Sequence, residues 1–403
     1  MLNKAYIPYA GYFSSPFCRW QGSLANEHPI KLAGKTSKAW LSSKGIDPTS
    51  FDYLILGMTI GQPAWFYAGP WAAALAGISG FEDRPSASAA MTISQACTTS
   101  ATCVFQAGMG VETGLYDQVW TLLTDRCSNG PHTVWPNPNG PGGEVISENW
   151  LMDNFNRDPW AGQPMIQTAE NVAQEEGFSK EACDDLALRR YEQYQQSLEN
   201  DRAFQKRYMT SLEVQVSKKK TLQISEDEGI FPTTKDGLAG LKALLPNGAH
   251  SFGSQTHPAD GNAGLVVTTR EKAREYSTDP AREIQILSYG FSRAKKGYMA
   301  KAPVAAAQMA LDKAGVSMDS IATLKTHNPF AVNDLFLARQ FDIDAMGFNN
   351  FGSPLVFGHP QGPTVARCLI EGIEETVQNG GGYFLFSGCA AGDTGGALLL
   401  KIG

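Results

Sequence analysis

The sequence predicts an α/β protein built from two related halves. Helical stretches alternate with short apolar runs typical of buried strands, which favours α/β layers with mostly parallel pairing at the centre. The pattern of Lys44–Phe51 recurs at Ala314–Ile321, and each copy leads into an apolar strand. The stretch 125–250 breaks this alternation. The pattern therefore indicates two similar domains that share one site, with an inserted covering domain between them.

Composition narrows the classes of function. The 403 residues carry 33 Lys and Arg against 40 Asp and Glu, a net charge of −7, which argues against nucleic acid as the main partner. The six histidines and seven cysteines lack C-x-x-C spacing, so neither a zinc module nor a disulfide scaffold is predicted, and no metal is expected. The sequence shows no membrane-spanning apolar run and no signal peptide, so we expect a cytoplasmic protein.

The first chemically informative element is the run Gln95–Ala101, which contains Cys97. It follows an apolar, strand-like approach and precedes a small-residue stretch, 98–108, that favours a helix. A cysteine just before a helix start is easily made reactive, because the positive helix end favours the thiolate. The alternative is a buried cysteine that acts only as a small apolar side chain. Cys97 is thus a candidate nucleophile.

Within the stretch 125–250, the sequence predicts three features in chain order. A Trp-, Pro- and Asn-rich stretch at 134–164 is followed by a charged helix at 179–199 and a hairpin around 217–220. Its aromatic residues, together with those of a second loop, are candidates for lining a substrate pocket or for packing and subunit contacts: Trp135, Trp150, Phe155 and Trp160, with Trp65, Phe66 and Trp71 in the second loop.

Three loops of the second half each carry a Cys or His. His327 follows the apolar run Ile321–Leu324, and His359 lies in a Gly- and Pro-framed turn before an apolar helix at 365–377. Cys389 follows a buried strand at 383–387 and is predicted to lie in a tight glycine loop. Structural roles for these three residues remain open on local sequence alone. Together with Cys97, they suit nucleophilic acyl transfer.

Five stretches match, in order and spacing, the motifs of one enzyme family. They are Ser15–Ala25 against R-T-P-F-G-x-F-G-G-S-L-A, Ser128–His132 against M-S-N-A-P-H, Thr168–Asn171 against T-A-E-N, Asn349–Gly362 against N-x-N-G-G-x(5)-G-H-P-x-G, and Gly388–Cys389 at the start of C-x-G-G-G-x-G. The chain therefore resembles the thiolase family over nearly its whole length. The resemblance implies a thiolase fold, with two related α/β halves in a five-layered α-β-α-β-α arrangement plus a loop domain.

The resemblance also implies domain limits, partners and an activity. The N-terminal half would span 1–124, the loop domain 125–250 and the C-terminal half 251–403. The implied reaction is reversible cleavage of a 3-oxoacyl-CoA by coenzyme A, giving acetyl-CoA and a shortened acyl-CoA. Coenzyme A would be a co-substrate, with no covalently bound cofactor, and the protein a homodimer or homotetramer. We expect degradative use, as in fatty acid β-oxidation, on a substrate larger than acetoacetyl-CoA.

The resemblance also implies catalytic roles for the residues that match the family's motifs. Cys97 matches the nucleophile, His359 the G-H-P histidine, and Cys389 the acid/base cysteine. The backbone N–H groups of Cys97 and Ala391 would form one oxyanion hole, and His327 with His359 would bind the enolate oxygen.

The chain departs from the family in two loops. His327-Asn328-Pro329-Phe330 stands where many thiolases have N-E-A-F and others have H-D-x-F. The histidine at the first position follows the second group, whereas Asn328 replaces the acid that both motifs carry. Ala391 and Asp393 replace glycines. A backbone donor survives the change from Gly to Ala, provided that the backbone conformation required there suits alanine.

Coenzyme A contacts are predicted at two places. Thr256 falls on a serine that meets the pantetheine in the family. Lys218, Lys219 and Lys220 fall on a basic hairpin near the nucleotide phosphates, although three lysines in a row also suit a solvated turn.

Two other functions remain open. A decarboxylating 3-oxoacyl synthase-like condensing enzyme would use Cys97, His327 and His359, which leaves Cys389 without a role. A non-catalytic acyl-CoA-binding homologue would need none of the four.

Overall fold

Helices and strands alternate through both halves of the computed structural model, which describes residues 1–78 and 89–403. The strands are β1 (Tyr6–Pro8), β2 (Tyr12–Ser14), β3 (Cys18–Arg19), β4 (Tyr53–Gly57), β5 (Ala89–Ile93), β6 (Gln118–Arg126), β7 (His132–Pro136), β8 (Val145–Asn149), β9 (Leu212–Ser217), β10 (Lys220–Ile224), β11 (Ala259–Thr268), β12 (Glu283–Arg293), β13 (Ile321–His327), β14 (Gly382–Ala390) and β15 (Thr394–Ile402). The helices are α1 (Pro29–Ser43), α2 (Ala68–Ala76), α3 (Thr99–Glu112), α4 (Met152–Asn156), α5 (Met165–Glu176), α6 (Lys180–Ser197), α7 (Glu199–Arg202), α8 (Lys235–Gly240), α9 (Arg270–Tyr276), α10 (Ala302–Ala314), α11 (Ala331–Phe341), α12 (Pro354–Phe357) and α13 (Thr364–Gln378).

The main sheet is mixed, in the order β13-β14-β15-β12-β1-β11-β6-β4-β5, and β2 and β3 pair with β11. Parallel pairs lie toward its two ends, at β13–β14 and at β6–β4–β5. The pairs between them are antiparallel. The prediction of mostly parallel pairing at the centre is therefore wrong. One cause is the short turn that joins β14 to β15, because such a turn permits only antiparallel pairing.

The helices form three layers around the strands. The central helices α3 and α13 pack against each other, α3 on β6 and β11 and α13 on β13 and β14. On the outside, α1 and α2 cover β6 and β4, and α10 covers β12 and β15. This is the five-layered α-β-α-β-α arrangement that the resemblance to the thiolase family implies.

The two central helices differ in the kind of side chain that they bury. Small residues such as Ala101, Ala107 and Gly108 allow α3 to pack closely on its neighbours. In contrast, α13 buries charges, and these are paired: Arg367 contacts both Asp227 and Glu371. Since Asp227 comes from the inserted segment, this ion pair joins that segment to the core.

The predicted internal repeat is visible in the structure. In the first half, α1 is followed by a 3₁₀ turn at Pro48–Ser50 and by β4. In the second half, α10 is followed by a 3₁₀ turn at Met318–Ser320 and by β13. The same order of elements therefore leads into both halves of the site.

The inserted segment lies between β6 and β11. It contains the β7–β8 hairpin, the helices α4 to α8 and the predicted β9–β10 hairpin. The predicted charged helix is α6, which begins after Ser179, whose side chain accepts a hydrogen bond from the N–H of Ala182. The predicted limit at 124/125 falls inside β6, and both predicted domain limits, at 124/125 and 250/251, stay predictions. Within residues 1–78 and 89–403, no helix combines the length and apolar character needed to cross a membrane.

Candidate active site

Cys97 lies in a tight turn between β5 and α3. The turn requires a left-handed backbone at Ala96, with φ of 45°. Thr99 holds it by accepting a hydrogen bond from the N–H of Gln95 (2.8 Å) and donating one to the carbonyl of Ala96 (2.7 Å). Backbone strain of this kind persists where surrounding contacts fix it, often at a functional site. The turn presents Cys97, which is 9 % exposed, immediately before the first turn of α3.

The second half delivers the other three predicted residues to the same place. His327 ends β13, and Gly388 pairs with it on the parallel strand β14, so Cys389 emerges at the same sheet edge. His359 comes from the turn between α12 and α13. The Cys97 sulfur and ring nitrogens of His327 and His359 lie within 4.8 Å of one another, and the two ring centroids are 4.3 Å apart. The predicted shared site therefore contains residues from both halves.

Both histidines are buried and neutral near pH 7. Burial lowers the pKa of His327 to about 3, and burial together with the nearby His327 and His257 lowers the pKa of His359 well below its usual value. The Nδ1 atom of His359 lies 2.6 Å from Thr364 Oγ1. Its Nε2, and both ring nitrogens of His327, have no hydrogen-bond partner among the described residues. These atoms remain available to substrate and to the thiol.

The resting form of Cys97 is the neutral thiol. Burial raises its pKa to about 12, while the backbone N–H groups of Ala391 and of Cys97 itself act in the opposite direction by hydrogen bonding to the sulfur. The two N–H groups predicted to form an oxyanion hole thus meet at the sulfur of the predicted nucleophile. An electrophilic carbon bonded to this sulfur would carry its oxygen close to both donors.

The backbone conformation of the β14–β15 turn shows why Ala391 and Asp393 can replace glycines there. The left-handed positions are Gly392, with φ of 79°, and Asp393, with φ of 58°, whereas Ala391 keeps an ordinary negative φ. Aspartate is among the residues that tolerate this conformation, and the Asp393 carboxylate accepts a hydrogen bond from the N–H of Gly297 (2.8 Å). Neither replacement prevents the Ala391 N–H from serving as a donor.

Cys389 lies within strand β14, not in a glycine loop as predicted. The strand runs on to Ala390 because pairing with β15 continues as far as Ala390 and Thr394. Asn333 Nδ2 donates to the Cys389 sulfur at 3.3 Å. Burial, with a further contribution from the nearby Cys97, raises the pKa of Cys389 well above its usual value. A second neutral thiol therefore stands beside the first.

Asn328 is a structural residue and not a missing acid. Its amide donates to Asp334 (2.7 Å) and Ser353 (3.1 Å), and its oxygen accepts from the N–H of Leu355 (3.2 Å). Asp334 is already neutralised by the fully buried Arg190 at 2.9 Å. A carboxylate at position 328 would face the Asp334 carboxylate at low dielectric, which explains the amide.

A cavity of about 440 Å³ opens beside the Cys97 turn. Ala96, Gln361 and Ala391 line the cavity next to Cys97. The predicted aromatic residues Trp150, Phe155 and Trp160 form part of its walls. The other predicted aromatic residues do not line it. Trp135 lies on β7 and is 47 % exposed, Trp65 packs on Trp150 from outside with ring centroids 6.1 Å apart, Phe66 is 98 % exposed, and Trp71 packs on His28.

Asp158 is a site residue that sequence reasoning missed. It is buried, lines the cavity and accepts the N–H of Gly392 at 2.9 Å. Its other oxygen accepts the N–H groups of Trp160 and Ala161. Asp158 thus joins the aromatic cavity wall to the turn that carries the Ala391 donor. Nothing in the local sequence distinguishes it from a solvated loop aspartate.

The predicted coenzyme A residues lie in two separate places. Thr256 donates to the carbonyl of Pro354 at 2.5 Å, and its N–H donates to Pro329, so it adjoins the loop that follows His327. Lys218, Lys219 and Lys220 are exposed at the tip of the β9–β10 hairpin. Their contacts with coenzyme A stay predictions.

Comparison with known proteins gives a consistent result. In sequence, the chain is 27% identical over 390 residues to the probable acetyl-CoA acetyltransferase of Mycobacterium leprae (strain TN), covering 96% of this chain and 97% of that protein. It is 26% identical over 395 residues to the mitochondrial 3-ketoacyl-CoA thiolase of Homo sapiens, covering 96% of each.

Solved structures agree over the whole fold. The Bacillus anthracis acetyl-CoA acetyltransferase superimposes with a TM-score of 0.89 at 25% identity, over 100% of this chain and 99% of that one. Human mitochondrial 3-ketoacyl-CoA thiolase in complex with CoA gives a TM-score of 0.87 at 25% identity, over 99% and 98% of the two chains. The family model for the N-terminal domain of thiolase matches residues 11–271, and that for the C-terminal domain matches residues 282–402. The chain is therefore an acyltransferase that belongs to the thiolase family.

Proposed function

We propose that the protein cleaves a 3-oxoacyl-CoA by thiolysis through an acyl-enzyme on Cys97, giving acetyl-CoA and a shortened acyl-CoA. The observation that carries this proposal is the meeting of two buried thiols and two neutral histidines at one sheet edge. Coenzyme A is the co-substrate, as in the thiolase family to which the chain belongs.

In the first half-reaction, His359 Nε2 takes the Cys97 proton as the sulfur attacks the ketone carbon. The contact of Nδ1 with Thr364 orients the ring for this transfer. The N–H groups of Cys97 and Ala391 stabilise the oxyanion. When the bond between the ketone carbon and C2 breaks, His327 and His359 hold the enolate oxygen, and Cys389 protonates C2 to release acetyl-CoA.

In the second half-reaction, the Cys389 thiolate takes the proton of the incoming coenzyme A thiol. The new thiolate attacks the acyl-enzyme carbonyl, whose oxygen again lies near the same two backbone donors. Collapse of this intermediate breaks the bond to the Cys97 sulfur and releases the shortened acyl-CoA. The proton held by His359 returns to Cys97. Every proton is accounted for, and both cysteines end as thiols.

For substrate, we propose a 3-oxoacyl-CoA larger than acetoacetyl-CoA. The cavity beside the nucleophile is lined by large aromatic side chains, and burial of an apolar acyl chain against them is favourable. A panel from acetoacetyl-CoA to long-chain and aromatic 3-oxoacyl-CoAs, read by mass spectrometry, tests this. A marked preference for acetoacetyl-CoA would refute the size assignment while leaving the reaction class intact.

Trp160→Ala is expected to lower kcat/KM for the preferred larger substrate by about 10- to 100-fold, because it removes one aromatic wall of the cavity. Its effect on acetoacetyl-CoA should stay within about threefold, since a short acyl group has little apolar surface to bury against that wall. Phe66→Ala, at a fully exposed position, is the control. Equal losses on both substrates would contradict a role in chain recognition.

Asp158→Ala is expected to lower kcat by about 10- to 100-fold. The variant removes the hydrogen bond from the Gly392 N–H to Asp158, and this bond holds the neighbouring Ala391 N–H in position. Steady-state kinetics and a thermal melt separate this effect from unfolding. The control is Asp153→Ala, because Asp153 also accepts a backbone N–H, that of Asn149, but lies on the exposed side of the same segment. A wild-type kcat in Asp158→Ala would remove Asp158 from the mechanism.

Coenzyme A binding is assigned to Thr256 near the pantetheine and to Lys218, Lys219 and Lys220 near the phosphates.

We also propose that the protein assembles as a homodimer or homotetramer. In support, β5 is an edge strand with exposed side chains, and the β7–β8 hairpin exposes apolar residues. The proposed compartment is the cytoplasm, which suits seven cysteines that are all unpaired and buried.

A further inference from the structure

Gln361 sits in the turn between α12 and α13, two residues after His359. It is 5 % exposed, and its backbone is left-handed, with φ of 57°, an uncommon conformation for glutamine. Neighbouring bonds hold this conformation. The carbonyl of Gln361 accepts from the N–H of Thr364 (3.2 Å), and the N–H of Gly362 donates to the buried Asp125 (2.8 Å). A strained position fixed so firmly places the side chain reproducibly.

The side chain of Gln361 points at the nucleophile. Its Oε1 lies 3.7 Å from the Cys97 sulfur, which donates to it as a thiol, and Gln361 also lines the acyl cavity. Its Nε2 is buried and has no hydrogen-bond partner within the described parts of the chain. An amide donor buried in this way is unfavourable unless a partner is supplied at some stage.

Ionisation of Cys97 supplies that partner. The thiolate can only accept, so the present contact with Oε1 becomes unfavourable once the proton has left. Half a turn about the last side-chain torsion exchanges the two amide atoms and brings Nε2 to the sulfur. Nε2 loses no hydrogen bond in this rotation, because it has no partner beforehand. Oε1 loses only its contact with the Cys97 sulfur, which has no proton left to donate after ionisation. Hydrogen bonds to a charged acceptor are the stronger kind.

We propose that Gln361 is a further catalytic residue, whose amide accepts from the Cys97 thiol and, once rotated, donates to the thiolate. It adds a side-chain donor to the two backbone N–H groups at the sulfur. The inference rests on the proposed role of Cys97 as the nucleophile. The titratable groups near Cys97 and the Gln361 turn are Cys127, His327, His359, Cys389 and Asp125, and burial raises the pKa of Asp125 to about 7. The variants below leave these five groups in place, so titration of Asp125 acts on the variants and on the wild type alike.

The test measures alkylation of Cys97 by iodoacetamide from about pH 6 to about pH 10, followed by peptide mass spectrometry. Gln361→Met keeps the size but removes the donor, and Gln361→Glu keeps the shape but introduces an acid. At each pH, both variants are expected to react about 10- to 100-fold more slowly than wild type, because less thiolate is present. The control is Asn154→Leu, an amide of the same cavity that binds Glu148 instead.

Two outcomes would overturn the proposal. One is alkylation of either Gln361 variant within about twofold of the wild-type rate across the range. Another is equal slowing in Asn154→Leu, which would indicate altered access to the cavity. Thermal melts establish that the variants are folded. The assay uses the free protein and no acyl-CoA, so its result stands even if the proposed thiolysis fails. For thiolysis itself, Gln361→Met should lower kcat about tenfold with little change in KM.

Discussion

Cys97→Ala is expected to abolish thiolysis, with kcat falling at least about 10⁴-fold. Without the sulfur no acyl-enzyme forms at position 97, and the other thiol of the site, Cys389, is held by a hydrogen bond from Asn333. The measurement is release of acetyl-CoA from a 3-oxoacyl-CoA in the presence of coenzyme A.

The matched control for this variant is Cys103→Ala. Cys103 is also buried, lies on the same helix and is not part of the site, so its loss should leave kcat within about threefold of wild type. Residual activity in Cys97→Ala above about one hundredth of wild type would mean that another residue is the nucleophile.

Cys389→Ala should reduce kcat by about 10² to 10⁴-fold, since it removes the proton donor to the enolate and the base for coenzyme A. It should leave iodoacetamide labelling of Cys97 close to the wild-type rate, because the two backbone N–H groups at that sulfur remain. This separation of turnover from nucleophile reactivity distinguishes an acid/base role from a structural one.

The same variant also separates the proposed reaction from its nearest alternative. A decarboxylating condensing enzyme would use Cys97, His327 and His359 and would not need Cys389. Condensation with malonyl-CoA that survives Cys389→Ala, without any thiolysis by the wild type, would assign the protein to that class.

The motif-bearing loops could be predicted because their signals are local. Turn residues frame His359, and small residues after Cys97 indicate the start of α3. Both helices begin within one residue of the expected position, α3 at Thr99 and α13 at Thr364. The alternation of elements predicted the α/β layers, and the resemblance to the thiolase family implied that there are five. The direction of the central strands could not be predicted, since strand pairing depends on long-range register and on how far β14 and β15 extend.

The residues that sequence reasoning missed are polar groups whose roles arise only from folding. Asp158 is far along the chain from Gly392, and Gln361 is far from Cys97, so no local pattern relates either pair. Asn328 is a different case, because the sequence already showed that an amide replaces an acid there. The structure explains the replacement, since the Asn328 amide donates a hydrogen bond to the buried Asp334. In each case a buried polar atom must be satisfied by a distant partner.

The most direct test of the central claim is to trap the acyl-enzyme. The protein is mixed with a 3-oxoacyl-CoA in the absence of free coenzyme A, quenched in acid, and digested for peptide mass spectrometry. We predict one equivalent of acetyl-CoA released and the shortened acyl group on Cys97, transferred to coenzyme A when this is added. Acylation of a different residue, or cleavage without any acylated Cys97, would contradict the mechanism.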